Sequence, residues 1–164
     1  MYGYPEKDST LVSRPKKKEE QALTPKKEDK PPTTSPEKYD ANAAVKYIKE
    51  HVTDSDPKGS CAHYIRLALE AGGLDTKGHP VYAKNYVAFL KTKGFSSIDS
   101  DQYNPVGSAQ KGDIAVFENY DGGDKAGHIQ IYTGSGWVSD FQQREFWPGP
   151  GYRKYKPKFT VFRK

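Results

Sequence analysis

Apolar positions follow a helical period in three stretches and then change to short runs of strand length, all after residue 39. In the first stretch, Tyr39 or Asp40 caps Ala41–Val52, where Ala44, Val45, Ile48 and Val52 form one stripe. The second runs from Ser60, a favourable N-cap, through Cys61 to Gly72-Gly73, which supplies a left-handed stop. Leu67 and Ala71 continue the face of His63 and Tyr64 at helical spacing. The third spans Val81–Lys91, with Val81, Tyr82, Asn85, Tyr86 and Phe89 recurring on one side until Gly94 ends it.

From Phe95 the period changes, and Pro105, Gly107 and Gly112 punctuate loops and short strands. Lys111–Glu118 reads as a buried strand, and a polar loop over 119–127 follows it. His128–Tyr132 and Trp137–Phe141 are two strands joined by Gly134-Ser135-Gly136, and Phe159–Phe162 is a last strand reached through a rigid loop, Trp147–Tyr152. Helices first and antiparallel strands afterwards predict an α+β domain.

The hairpin register decides which residues share a face with His128. A three-residue turn pairs Thr133 with Trp137, sets Gln130 opposite Asp140, and leaves His128 and Asp140 as diagonal neighbours. A two-residue turn instead puts Ser139 on that face.

Composition divides the chain. Hydrophobic residues make up 34%, against roughly 45% or more in globular domains, and the deficit lies in residues 1–38, which are rich in Lys, Glu, Pro, Thr and Ser. Such a segment buries too little apolar surface to offset its ordering entropy, so 1–38 is expected to be a disordered tail or linker and 39–164 the folded domain. The net charge of +5 comes without a nucleic-acid motif or dense basic stripe. No apolar run approaches a membrane span and no signal core opens the chain, so action outside the cytoplasm implies non-classical delivery.

The candidate chemistry starts with the single cysteine, which excludes an internal disulfide. At the first helical position Cys61 faces the positive end of the helix dipole, which favours its thiolate. His128 is the candidate base and Asp140 the group expected to accept a hydrogen bond from it, fixing its tautomer. His63, two positions along the helix from Cys61, points to another side and is not the base. No CxxC or HExxH companion accompanies these residues, so neither a metal nor another cofactor is expected.

Helix-borne Cys61, the Lys-Gly-Asp-Ile-Ala-Val-Phe strand, and Gly127-His128-Ile129-Gln130-Ile131-Tyr132 followed by a glycine turn and Trp-Val-Ser-Asp resemble the NlpC/P60 and CHAP superfamily of papain-like cell-wall peptidases and amidases. The resemblance covers roughly 40–164. It implies helices packed on an antiparallel sheet, with Cys61 and His128 at the first two catalytic positions and Asp140, twelve residues after the histidine, at the third. Ser60 before the cysteine and Ala62-His63 after it depart from the Asp and Ser-Gly of many relatives.

The function expected from this is a cysteine hydrolase cutting an amide bond in peptidoglycan, as an amidase or endopeptidase, with Gln130, Ser60, Trp137 and Trp147 as substrate contacts. An antibacterial effector delivered to the periplasm or cell wall, with an immunity protein as its inhibitor, or a lysin, fits the chain's size and tail. Two other classes stand beside it: a Cys-His-Asp enzyme that modifies a protein, and a non-catalytic wall-binding module.

Overall fold

The structure is a computed structural model that describes residues 38–164. Apart from Lys38, the predicted tail lies outside the described residues.

Asp40 begins the first helix. Its carboxylate accepts the backbone N–H groups of Asn42 (2.8 Å) and Ala43 (3.3 Å), two of the donors that a helix start leaves open. Helix α1 (Ala41–His51) buries Ala44, Val45 and Ile48, and Val52 just beyond it, as the stripe predicts. Helix α2 (Cys61–Ala71) starts at the cysteine as expected, and Gly73 (φ 88°) supplies the left-handed stop while Gly72 keeps φ −76°. Its buried face differs from the expected one. The buried face is Ile65, Ala68 and Leu69, whereas His63 and Ala71 are exposed. This helix carries two overlapping apolar stripes, and packing against α1 and the sheet selects the branched one.

The third helical pattern divides into a 3-10 turn (Ala83–Asn85) and α3 (Tyr86–Thr92). Val81 and Tyr82 stay outside both, 83% and 51% exposed, contrary to their predicted place on a helix face. The turn is instead tied to the loop before His128, since Lys84 N–H donates to the carbonyl of Ala126 at 2.9 Å.

Five strands form one antiparallel sheet: β1 (Ser96–Asp99), β2 (Ile114–Phe117), β3 (His128–Tyr132), β4 (Trp137–Val138) and β5 (Phe159–Arg163), in the order β1-β5-β2-β3-β4. Cross-strand partners share a face. Ile114, Val116, Ile129, Ile131 and Phe162 pack against the three helices. On the other face Ala115, Phe117, Phe159 and Val161 meet Tyr103, Trp137 and Phe146 in a second, aromatic core. The expected Trp147–Tyr152 loop leads into a short helix, α4 (Pro150–Tyr155), whose proline stands at the first turn, where its missing N–H costs nothing.

The hairpin takes the register of the two-residue turn. Tyr132 pairs with Trp137 and Ile131 with Val138, and Thr133 N–H donates to the carbonyl of Gly136 at 2.9 Å. Continuing that ladder sets Ser139, not Asp140, opposite Gln130. The strand then ends, because Ser139 N–H turns back to the carbonyl of Phe141 (3.0 Å) and Val138 bridges to Gln142. That bend, rather than strand pairing, aims Asp140.

Candidate active site

The loop before α2 and the loop before β3 set the two reactive side chains. Gly59 turns the first with φ 68° and delivers Cys61 at the head of the helix. Gly127 turns the second with φ 69°, and a Cβ there would run into the carbonyl oxygen of Phe117, so His128 has to be preceded by glycine. The backbone N–H of Ile129, the residue next to His128, faces the thiol of Cys61 and favours its thiolate. Head of helix and start of strand thus meet at one point.

Both groups line a cleft of about 420 Å³, together with Asp124, Asp140, Phe141 and Tyr152. Burial pushes the Cys61 thiol up to about 11, and the N–H of Ile129 only partly opposes it. Burial likewise pushes the His128 imidazole down to about 4, against the raising effects of the Asp140 charge and the Gln130 side chain. Desolvation therefore works against the expected dipole-stabilised thiolate, and pushes both the thiol and the imidazole toward their neutral forms.

Asp140 lies at the site but does not hydrogen-bond to His128. Its Oδ2 accepts the backbone N–H groups of Lys58 (2.7 Å) and Ser60 (3.0 Å), and its Oδ1 accepts the hydroxyl of Ser139 (3.0 Å). The carboxylate ties the hairpin bend to the loop in front of the cysteine. The imidazole meets Gln143 instead, whose side-chain nitrogen is 3.1 Å from Nε2 and 2.9 Å from Ser139 Oγ. Gln143 has no place in the predicted site, and a polar pair, Gln142-Gln143, in an aromatic stretch was its only signal. Rings of Phe117, Phe141 and Tyr152 surround the imidazole at 5.9 to 6.4 Å between centroids.

The predicted substrate contacts separate. Ser60 lines the cleft. Gln130 does not: it is fully buried, its Nε2 donates to the carbonyl of Phe146 (2.8 Å), and the aromatic core covers its face of the sheet. Trp137 is also buried, packed on Tyr132 and Phe146 away from the cysteine. Trp147 is half-buried against Phe117 and Phe159, and borders a neighbouring depression with Arg144 and Arg153. His63 is exposed at the cleft rim, with Nδ1 3.3 Å from an Arg66 nitrogen. Among the described residues, no group of three or more His, Cys, Asp or Glu side chains could hold a metal ion.

Two solved structures are similar to this chain in fold, at 36% identity. One is the crystal structure of the type VI native effector–immunity complex Tae3–Tai3 from Ralstonia pickettii, with a TM-score of 0.66 over 76% of this chain and 98% of that one. The other is the selenomethionine form of the same complex, with a TM-score of 0.63 over 73% and 98%. The chain belongs to the Tae3 effector family. Its α+β architecture, with a cysteine-headed helix against an antiparallel sheet, is the papain-like one that the residues imply. No protein-family model matches this Tae3 relative, and none of the curated proteins compared with it does. Among the described residues, no helix of this Tae3 relative is long and apolar enough to cross a membrane.

Proposed function

We propose that this Tae3-family protein is a type VI effector that hydrolyses an amide bond in peptidoglycan, using Cys61 as nucleophile and His128 as base and then acid. The observation that carries the reading is the meeting of Cys61 and His128 in one open cleft, in a chain 36% identical to a type VI effector–immunity structure.

In this chemistry the Cys61 thiol gives its proton to His128 as its sulfur attacks the carbonyl carbon. The backbone N–H of Cys61, in the first helical turn, steadies the oxyanion. His128 then protonates the leaving amine as the C–N bond breaks, and water cleaves the thioester to release a carboxylate and restore the thiol. Asp140 contributes through its charge, which favours the imidazolium, and by bracing the loop that carries the nucleophile. Because burial favours the neutral forms of both groups, the proton transfer belongs to the substrate complex. The papain-like layout supports placing the site with the NlpC/P60 and CHAP type of cell-wall enzyme. The immunity partner in the related complexes supports a cognate inhibitor for this chain, and the type VI origin supports delivery to a target cell's periplasm.

Digestion of purified sacculi, with Cys61→Ala as control and mass spectrometry of the products, tests this. New fragments formed only with the intact cysteine are expected, and their masses name the bond. No fragments from any wall type would overturn the reading in favour of a protein-modifying enzyme.

A further inference from the structure

We propose that Asp140 acts on His128 through Ser139 and Gln143, and that this relay, in place of a direct carboxylate–imidazole bond, sets which ring nitrogen carries the proton. The proposal deepens the hydrolase reading and rests on it only for its catalytic consequence.

The direction of each hydrogen bond follows from the donors available. A carboxylate only accepts, and bonds to a charged acceptor are the stronger ones. Ser139, completely buried and 3.0 Å from Asp140 Oδ1, therefore directs its one hydroxyl proton to the carboxylate. Its oxygen is left to accept, so Gln143, 2.9 Å away, must face it with the amide NH2. The same nitrogen lies 3.1 Å from His128 Nε2 and points its second proton there. Nε2 accepts, and the neutral imidazole carries its proton on Nδ1.

Gln130 cannot reverse this assignment by donating to the ring. Its own NH2 is held by the carbonyl of Phe146, and its buried Oε1 offers only lone pairs, so toward the ring it can accept but not donate. A ring with its proton on Nδ1 has no free nitrogen for the thiol, because Nε2 is already engaged. A half-turn of the Gln143 amide presents its carbonyl to Nε2 instead. One proton then leaves Nδ1 for cleft water as another is taken up at Nε2, and Nδ1 becomes the base. Gln143 and Ser139 are thus positioning residues for His128, and Asp140 is the fixed end of their chain.

The test reads the tautomer directly, by two-bond proton–nitrogen NMR on the 15N-labelled full chain at pH 7. The wild type is expected to carry its His128 proton on Nδ1. In Gln143→Glu, where the new carboxylate only accepts, the proton should move to Nε2, and iodoacetamide should alkylate Cys61 about tenfold faster. Ser139→Ala, which frees the amide to turn, should shift the tautomer the same way. A wild-type proton on Nε2, or a folded Gln143→Glu with an unchanged tautomer, would overturn the proposal. The wild-type measurement needs no variant to fold. A failed sacculus digestion would remove the hydrolase reading and leave the tautomer result standing.

Discussion

Asp140 accepts the backbone N–H of Ser60 at 3.0 Å across eighty residues of sequence, and so holds the start of the nucleophile helix to the hairpin bend. Ser60 makes no side-chain cap of its own, and this bond, with the one from Lys58 N–H (2.7 Å), instead fixes the loop that enters the helix. Asp140→Ala would leave both N–H groups and the Ser139 hydroxyl without an acceptor, at a cost of about 3 kcal/mol. With the loop displaced, sacculus digestion should fall about a hundredfold. Asp140→Asn keeps one carbonyl acceptor and should lose less of both. Melting temperatures and digestion rates of the two variants check this order.

Gly127→Ala tests the strand entry. The position has φ 69°, and an added methyl would meet the Phe117 carbonyl and, at 3.0 Å, Lys84 Cβ, both parts of rigid surroundings. Strain and steric overlap together should cost about 2 to 3 kcal/mol, and His128, the next residue, should move with the backbone. Urea unfolding and activity are expected to fall together. A variant of unchanged stability would show that the loop gives way without strain.

Stability should depend on pH through His128. Burial lowers its folded pKa to about 4 from 6.5, so between those values the unfolded chain binds the proton that the folded chain refuses. The slope of stability with pH is therefore positive in that window. Stability is full above about 6.5 and falls as the pH drops toward about 4, by on the order of 3 kcal/mol in all. Urea midpoints at pH 7 and pH 4.5 measure it. His128→Gln should flatten the dependence by that amount, and equal slopes in both proteins would mean that the ring is not held neutral.

Cys61 and His128 were legible because local chemistry marks them: a helical pattern that opens on the lone cysteine, and a strand that follows a glycine. The α1 stripe was legible for the same reason, since its four apolar positions admit one buried face. The hairpin was not. Thr133-Gly134-Ser135-Gly136 is compatible with two closures, and the choice rests on Thr133 bonding to Gly136, a one-residue difference that exchanges Ser139 for Asp140 opposite Gln130. Gln143 was invisible for a deeper reason. Its contact with His128 depends on the bend after Val138, a tertiary feature without a sequence period.

The end of β5 carries a second prediction about stability. Arg163 forms two bonds to Asp113, Nε to Oδ1 at 2.7 Å and Nη2 to Oδ2 at 2.8 Å, and Asp113 is fully buried where β2 begins. Arg163→Ala would leave the carboxylate with only the N–H of Gln110 and the distant hydroxyl of Tyr103. The Arg163 side chain is itself 34% exposed, so losing these charge-assisted bonds costs about 2 to 3 kcal/mol rather than the full cost of breaking a buried pair. Arg163→Lys should recover part of this, because a point charge cannot make the two-pronged bond. Thermal unfolding of the pair of variants gives the comparison, and an unchanged Arg163→Ala would place the carboxylate in contact with water.

The reactivity of Cys61 separates a neutral resting site from a preformed ion pair. With its thiol raised to about 11 by burial, the thiolate fraction grows about tenfold for each pH unit across the neutral and mildly alkaline range. Alkylation by iodoacetamide should therefore climb from pH 7 to pH 10 without a plateau. His128→Ala should leave that climb nearly intact, because an imidazole with a pKa of about 4 gives the resting thiolate no cationic partner. A plateau below pH 8 that disappears in His128→Ala would instead establish a thiolate–imidazolium pair already formed without substrate. In that case the dipole at the head of α2 would outweigh desolvation after all. A continuous climb places the activation of the nucleophile in the substrate complex, where substrate filling the cleft displaces water from both groups at once.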